Sequence, residues 1–168
     1  MSDTIDIVHR EQQDSLAVEC RASIFGIPKA MAKAFGLIIA RMEQQGIKSE
    51  APPYTLYKYV VWDVDTKGIT GFIRMMMHKW DMQVGIPVSE QYDGDDNVIA
   101  TNIPAGRYLC TLHRGPYKTL GKTYERVQNY AREQGLPLAN FMVERYLNDP
   151  HLVSQQELET EVLIPLTE

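Results

Sequence analysis

Cysteine is nearly absent. The two present, Cys20 and Cys110, each fall in an apolar, strand-like stretch, which reads as reduced core thiols rather than as a bridge or a redox site. Also missing is any unbroken apolar run of about 18 residues, the length a helix needs to cross a bilayer. The opening Met1-Ser2-Asp3-Thr4-Ile5-Asp6 carries acids and no apolar run, unlike a signal peptide. These absences predict a cytoplasmic protein with no membrane partner. Basic charge is short as well: 17 Lys and Arg stand against 22 Asp and Glu, a formal net charge of -5, and the basic residues are scattered along the chain. Direct nucleic-acid binding, which demands a basic face, is not expected. His9, His78, His113 and His151 lie far apart without ligand-spaced Cys or carboxylates, so no metal site is expected. Asp93-Gly94-Asp95-Asp96-Asn97 lacks the spacing and distal glutamate of a calcium loop and reads as a solvated linker. No Gly-x-Ser-x-Gly elbow, phosphate loop or dinucleotide fingerprint occurs, which leaves the common nucleophile and phosphate chemistries, and any cofactor, without support.

What is present fits one ordinary globular domain, 168 residues at 44% apolar and 23% charged, far from the composition of disorder and long enough to bury a core. Shifted by 89 residues against itself, the sequence sets Gly26 on Gly115, Phe35 on Tyr124, Gly46 on Gly135, Ile47 on Leu136 and Tyr57 on Tyr146. These are helix-boundary and core-type positions, so the offset predicts two copies of a β-α-β-β unit, at about 15–90 and 104–166. In the first copy, residues 16–22 read as a strand and Gly26-Ile27-Pro28 as a helix start. Ile27, Met31, Ala34, Ile38 and Met42 form an apolar stripe that Gly46 ends. The second copy repeats this with a strand at 107–113, Gly115-Pro116, a helix bearing Leu120, Tyr124, Val127 and Ala131 on one face, and Gly135. Strands at 141–147 and 158–164 follow, separated by the turn Asn148-Asp149-Pro150. Their counterparts are 54–62 and 82–88, and the polar stretch 90–97 joins the copies. Residues 63–81, with Gly68, Gly71 and the run Met75-Met76-Met77, are an insertion, either a long hairpin or a flap. The predicted fold is α+β: an antiparallel sheet with two helices on one face, the other face free, and a ligand cleft between the repeats.

Alternation along 141–147 sets Met142, Glu144 and Tyr146 on one face and Phe141, Val143 and Arg145 on the other. With Phe141 and Val143 packed under the helices, Glu144 looks into the free face, where the offset also brings Thr55, Tyr57 and Tyr59. A carboxylate among tyrosines suits a flat, partly apolar cation: rings attract it by roughly 0.5–2 kcal/mol each, and the carboxylate supplies the opposite charge. The same groups suit acid–base work, with a tyrosine hydroxyl as hydrogen-bond donor. The plainer alternative is a solvated glutamate on the open side of a sheet, which the residues alone favour. Trp62, Trp80 and the three methionines either line the cleft, form a partner surface or pack in the core.

Taken in order, His113-Arg114-Gly115-Pro116-Tyr117, then Leu120 and Tyr124, then Glu144-Arg145-Tyr146-Leu147-Asn148-Asp149-Pro150, and Thr160-Glu161-Val162-Leu163-Ile164-Pro165-Leu166 closely resemble the GyrI-like small-molecule-binding family. That family includes effector-binding domains of multidrug-sensing transcription regulators and the DNA gyrase inhibitory protein. The likeness is strong over 104–166 and looser over 15–90. It implies a ligand cleft at the junction of a pseudo-twofold pair, with Glu144 as the pocket glutamate against cationic drugs and Tyr57, Tyr117 and Tyr146 as pocket tyrosines. Tyr59, Met142 and Trp62 complete the expected ligand-binding set. Some relatives hydrolyse cyclopropane-bearing toxins, which implies Glu144 and Tyr117 as a catalytic pair as an alternative to binding alone. A protein partner, either a transcription regulator or gyrase, and a homodimer are further implications. The first copy departs from the motif, with Ile24-Phe25-Gly26-Ile27-Pro28 in its place. About fifteen residues precede the first predicted strand, too few for a helix-turn-helix, so the expectation is a sensor without a DNA-reading domain.

Overall fold

The computed structural model describes residues 4–49, 51–63 and 67–167. Strand β1 (Asp6–Arg10) precedes β2 (Gln13–Ser23). Helix α1 (Ile27–Gln45) carries Pro28 in its first turn, where the missing N–H costs nothing. Gly46 ends it at φ 65°, a left-handed conformation that side chains resist. Next come β3 (Tyr54–Lys58), α2 (Gly68–Met77), β4 (Lys79–Pro87) and β5 (Ile99–Ile103). The remainder is β6 (Gly106–Arg114), a 3-10 turn at Tyr117–Thr119, α3 (Leu120–Glu133), β7 (Met142–Tyr146), a 3-10 turn at Gln155–Glu157 and β8 (Glu159–Pro165).

The described strands make one antiparallel sheet in the order β1-β6-β8-β7-β3-β4-β2-β5, so the fold is α+β. The middle of that order reads the same from either side, with β6-β8-β7 facing β3-β4-β2 across the β7–β3 pair. In that central pair Thr55 lies opposite Glu144 and Tyr57 opposite Met142. Thr55 and Glu144 are also the positions that the 89-residue offset equates.

The sheet has to curl. Strands β5 and β6 sit near its opposite sides, six places apart, yet only Pro104 and Ala105 connect them. Three Cα steps reach about 11 Å, whereas six spacings of a flat sheet would need about 29 Å. Curling brings Val8, Ile103, Tyr108, Val143 and Leu163 into one concave-side core with Tyr54 and Leu56. The helices cover the convex side. There Leu120, Val127 and Ala131 of α3 pack with Tyr57, Met82, Leu109 and Val162, while Ile38 and Met42 of α1 pack with Leu16 and Ile86. The face expected to be free is therefore filled by the sheet's own side chains.

Three expectations need correction. The short strands β1 and β5 lie outside both predicted copies. The strand expected over 54–62 stops at Lys58, because Tyr59 turns to φ 56° and Val60 N–H bonds instead to the carbonyl of Asn140 at 2.7 Å. The insertion, expected as a long hairpin or a flap, is not a long hairpin over its described part: it contains α2 and the first residues of β4.

Candidate functional site

Strand β7 positions the central carboxylate, on the opposite side from the one expected. Glu144 shares its face with Met142, which belongs to the core beneath α3, while Val143 packs into the concave core. In a curled sheet both faces are buried, so apolar alternation does not say which one the helices cover. Glu144 is only 5% exposed.

Phenols surround it. Tyr146 donates to Glu144 Oε2 at 2.8 Å, Tyr57 reaches the same oxygen at 3.5 Å, and Tyr124 of α3 donates to Oε1. Tyr146 also lies 3.0 Å from Thr55 Oγ1. Its single proton goes to the carboxylate, so the Thr55 hydroxyl donates to the Tyr146 oxygen. Among the described ion pairs none involves Glu144. Burial pushes its carboxyl up to about 7, and hydrogen bonds from Tyr146 and Tyr57 pull the other way. Burial and then the Glu144 charge hold the Tyr57 and Tyr146 phenols well above their ordinary range, which keeps them protonated as donors.

Tyr117 stands at the rim. Its ring meets Tyr146 edge to face at 5.8 Å and is 40% exposed. Burial raises its phenol, followed by the charges of Glu144 and Asp149. The turn that carries it is held by His113, a buried residue near the end of β6. His113 Nε2 lies 3.2 Å from the Pro116 carbonyl and Nδ1 2.7 Å from Thr123 Oγ1. A carbonyl only accepts, so Nε2 carries the hydrogen and the Thr123 hydroxyl donates to Nδ1.

Of the expected residues, the structure thus gathers Glu144, Tyr57, Tyr146 and Met142, with Tyr117 at the edge. Trp62 is peripheral: it packs on the same core and donates from Nε1 to the Ala139 carbonyl at 2.6 Å. Tyr59 is not part of the site, since its positive φ breaks the alternation and leaves it 68% exposed. The sequence marks Tyr124 as a helix core and motif position, not as a partner of Glu144. A phenol on an apolar stripe is itself a signal, because its buried hydroxyl requires a partner. Trp80, whose ring meets Tyr57 at 5.8 Å, extends the aromatic wall.

The tyrosines close over the carboxylate. Two surface depressions, of about 560 Å3 beside Ile5, Arg126 and Tyr130 and about 480 Å3 beside Arg21, Lys29 and Lys79, both lie away from Glu144. Among the described residues no group of three or more His, Cys, Asp or Glu is placed to hold a metal ion.

A family model described as a GyrI-like small molecule binding domain matches residues 4–167. No curated protein matches the sequence. Among solved structures, the C-terminal domain of EcmrR superposes with a TM-score of 0.77 at 18% identity, covering 98% of each chain. In the DNA complex of EcmrR the match has the same TM-score, 0.77, at 19% identity, and covers 98% of this chain but 57% of that one. A hydrolase from Listeria innocua matches with a TM-score of 0.62 at 12% identity, over 97% of this chain and 91% of that one. SAV2435 bound to tetraphenylphosphonium matches at 0.58 and 11% identity, over 98% and 94%. At these identities the structural likeness shows the fold.

Proposed function

The chain belongs to the family of GyrI-like small molecule binding domains, and from that premise we propose that it takes an amphipathic organic cation against Glu144, between the tyrosines that now enclose the carboxylate. One observation carries the reading: Glu144 is buried with phenol donors on both oxygens and no ion pair among the described ones. A buried carboxylate ordinarily needs an opposite charge. A cation entering between Tyr117, Tyr124 and Tyr146 supplies it, and the ring faces add their own attraction. The structural neighbour bound to tetraphenylphosphonium makes that ion the natural probe.

Equilibrium titration with tetraphenylphosphonium, followed by the fluorescence of Trp62 and Trp80, tests the reading. Wild type binds, and Glu144→Gln, which keeps the shape and one acceptor oxygen but removes the charge, binds at least tenfold more weakly, as expected for about 1.4 kcal/mol or more of lost charge pairing. Equal affinity for the two proteins would remove the carboxylate from recognition.

A further inference from the structure

Folding gathers at one end of the molecule what the sequence scatters. The pairings Ser23 with Lys79 and Lys58 with Asp81 put the ends of β2 and β3 and the start of β4 at the same edge of the sheet. The β2–α1 turn and the β3–β4 connection therefore emerge together. Both expose large apolar side chains: Phe25 in the first, and Val61, Ile69, Phe72, Ile73 and Met77 in the second. Helix α2 is inside out. Gly71 is its buried residue, while Ile69, Phe72, Ile73 and Met77, spaced three and four apart, form an exposed stripe, with Ile69 at 81% and Met77 at 77%.

Positive charge gathers at the same end of the molecule. Arg21, Lys29, Lys33 and Lys79 border one depression of about 480 Å3, and Arg74 lies on α2 itself. Of the described acids nearby, Asp81 pairs with Arg21 at 3.4 Å and Glu19 with Lys58, and Asp63 of the β3–β4 connection is outnumbered by Lys29, Lys33, Lys79 and Arg74. In a chain whose formal net charge is -5, this end is locally cationic. A second copy of the chain would set these cations against themselves across a twofold axis. A nucleic acid would answer the charge and leave the apolar stripe in water. An anionic lipid surface answers both, taking apolar side chains at the headgroup boundary and ammonium groups among the phosphates.

We propose that this end is a docking face for an anionic phospholipid bilayer, with α2 lying in the interface. No described helix is long and apolar enough to cross a membrane, and lying on one requires no such helix. The sequence excluded a membrane partner only on the ground of spanning.

Co-sedimentation of the full chain with lipid vesicles tests this. The protein sediments with vesicles of equal parts phosphatidylcholine and phosphatidylglycerol, leaves them in high salt, and stays in solution with phosphatidylcholine alone. Lys29→Gln combined with Lys33→Gln lowers partitioning roughly 30-fold, each lysine near an anionic surface counting for about fivefold. Phe72→Ser, at an exposed position that leaves the core intact, lowers it comparably, whereas Glu144→Gln partitions like wild type. The proposal is overturned by equal partitioning onto neutral vesicles, by no partitioning onto anionic ones, or by indifference to Phe72→Ser. A dimer in the ultracentrifuge that Phe72→Ser dissociates would give the face to a second copy and overturn it equally.

Discussion

The Glu144 carboxyl, ordinarily near 4.5, is pushed by burial up to about 7 in the folded protein, so between those limits the folded chain holds more protons than the unfolded one. Stability is then full below about 4.5 and is lost as pH rises through about 7, by up to roughly 3 kcal/mol. Urea denaturation at pH 5 and pH 8 checks this. Wild type is less stable at pH 8, and Glu144→Gln is the more stable protein there by a large part of that difference while matching wild type at pH 5. A wild type with no loss between the two pH values would mean that the carboxyl is not perturbed by burial. At this scale the sequence announced Glu144, Tyr57 and Tyr146 through motif and alternation. It missed Tyr124, because a tyrosine on an apolar stripe reads as core until the strand beneath it is known. It misplaced Tyr59, because nothing in a run of strand-forming residues marks a positive φ.

The helices α1 and α3 were legible because Gly26, Pro28, Gly46, Gly115, Pro116 and Gly135 punctuate apolar stripes of helical period. Strands β1 and β5 were not, being five residues each and defined by what they pair with. Helix α2 hid for a different reason: Gly68 and Gly71 stand within its first turn, and glycines there read as loop signals that outweigh a short apolar stripe. Register within the sheet has its own device. Tyr54 lies opposite Gly85 on β4, and a Cβ added at Gly85 would come within 2.5 Å of the Tyr54 ring. That ring is fixed, since Tyr54 is fully buried and accepts a hydrogen bond from Gln83 at 3.0 Å. Gly85→Ala is accordingly expected to destabilise by about 1–3 kcal/mol, the usual cost of overpacking. Denaturant melting checks it, and an unchanged midpoint would show that the ring moves freely.

At the scale of the molecule, curling decides what the site is. A flat sheet would have left Glu144 on an open face or under helices according to its alternation, and the sequence reading took the open face. The two-residue link from β5 to β6 forces both faces to be buried, which puts the carboxylate beneath α3 and within reach of Tyr124. The family resemblance gave the architecture and the glutamate, but not the enclosure that perturbs it. For the proposed cation, that enclosure would tie affinity to proton release. A carboxyl near 7 must ionise to pair with a cation, so affinity follows its ionised fraction.

The most direct test is calorimetric titration of tetraphenylphosphonium into wild type and Glu144→Gln at pH 6 and pH 8. Wild-type affinity should rise about tenfold between the two, following ionisation of a single group near 7, and the variant should be weak and flat. Wild-type affinity independent of pH, or the same pH dependence in both proteins, would contradict Glu144 as the counter-charge.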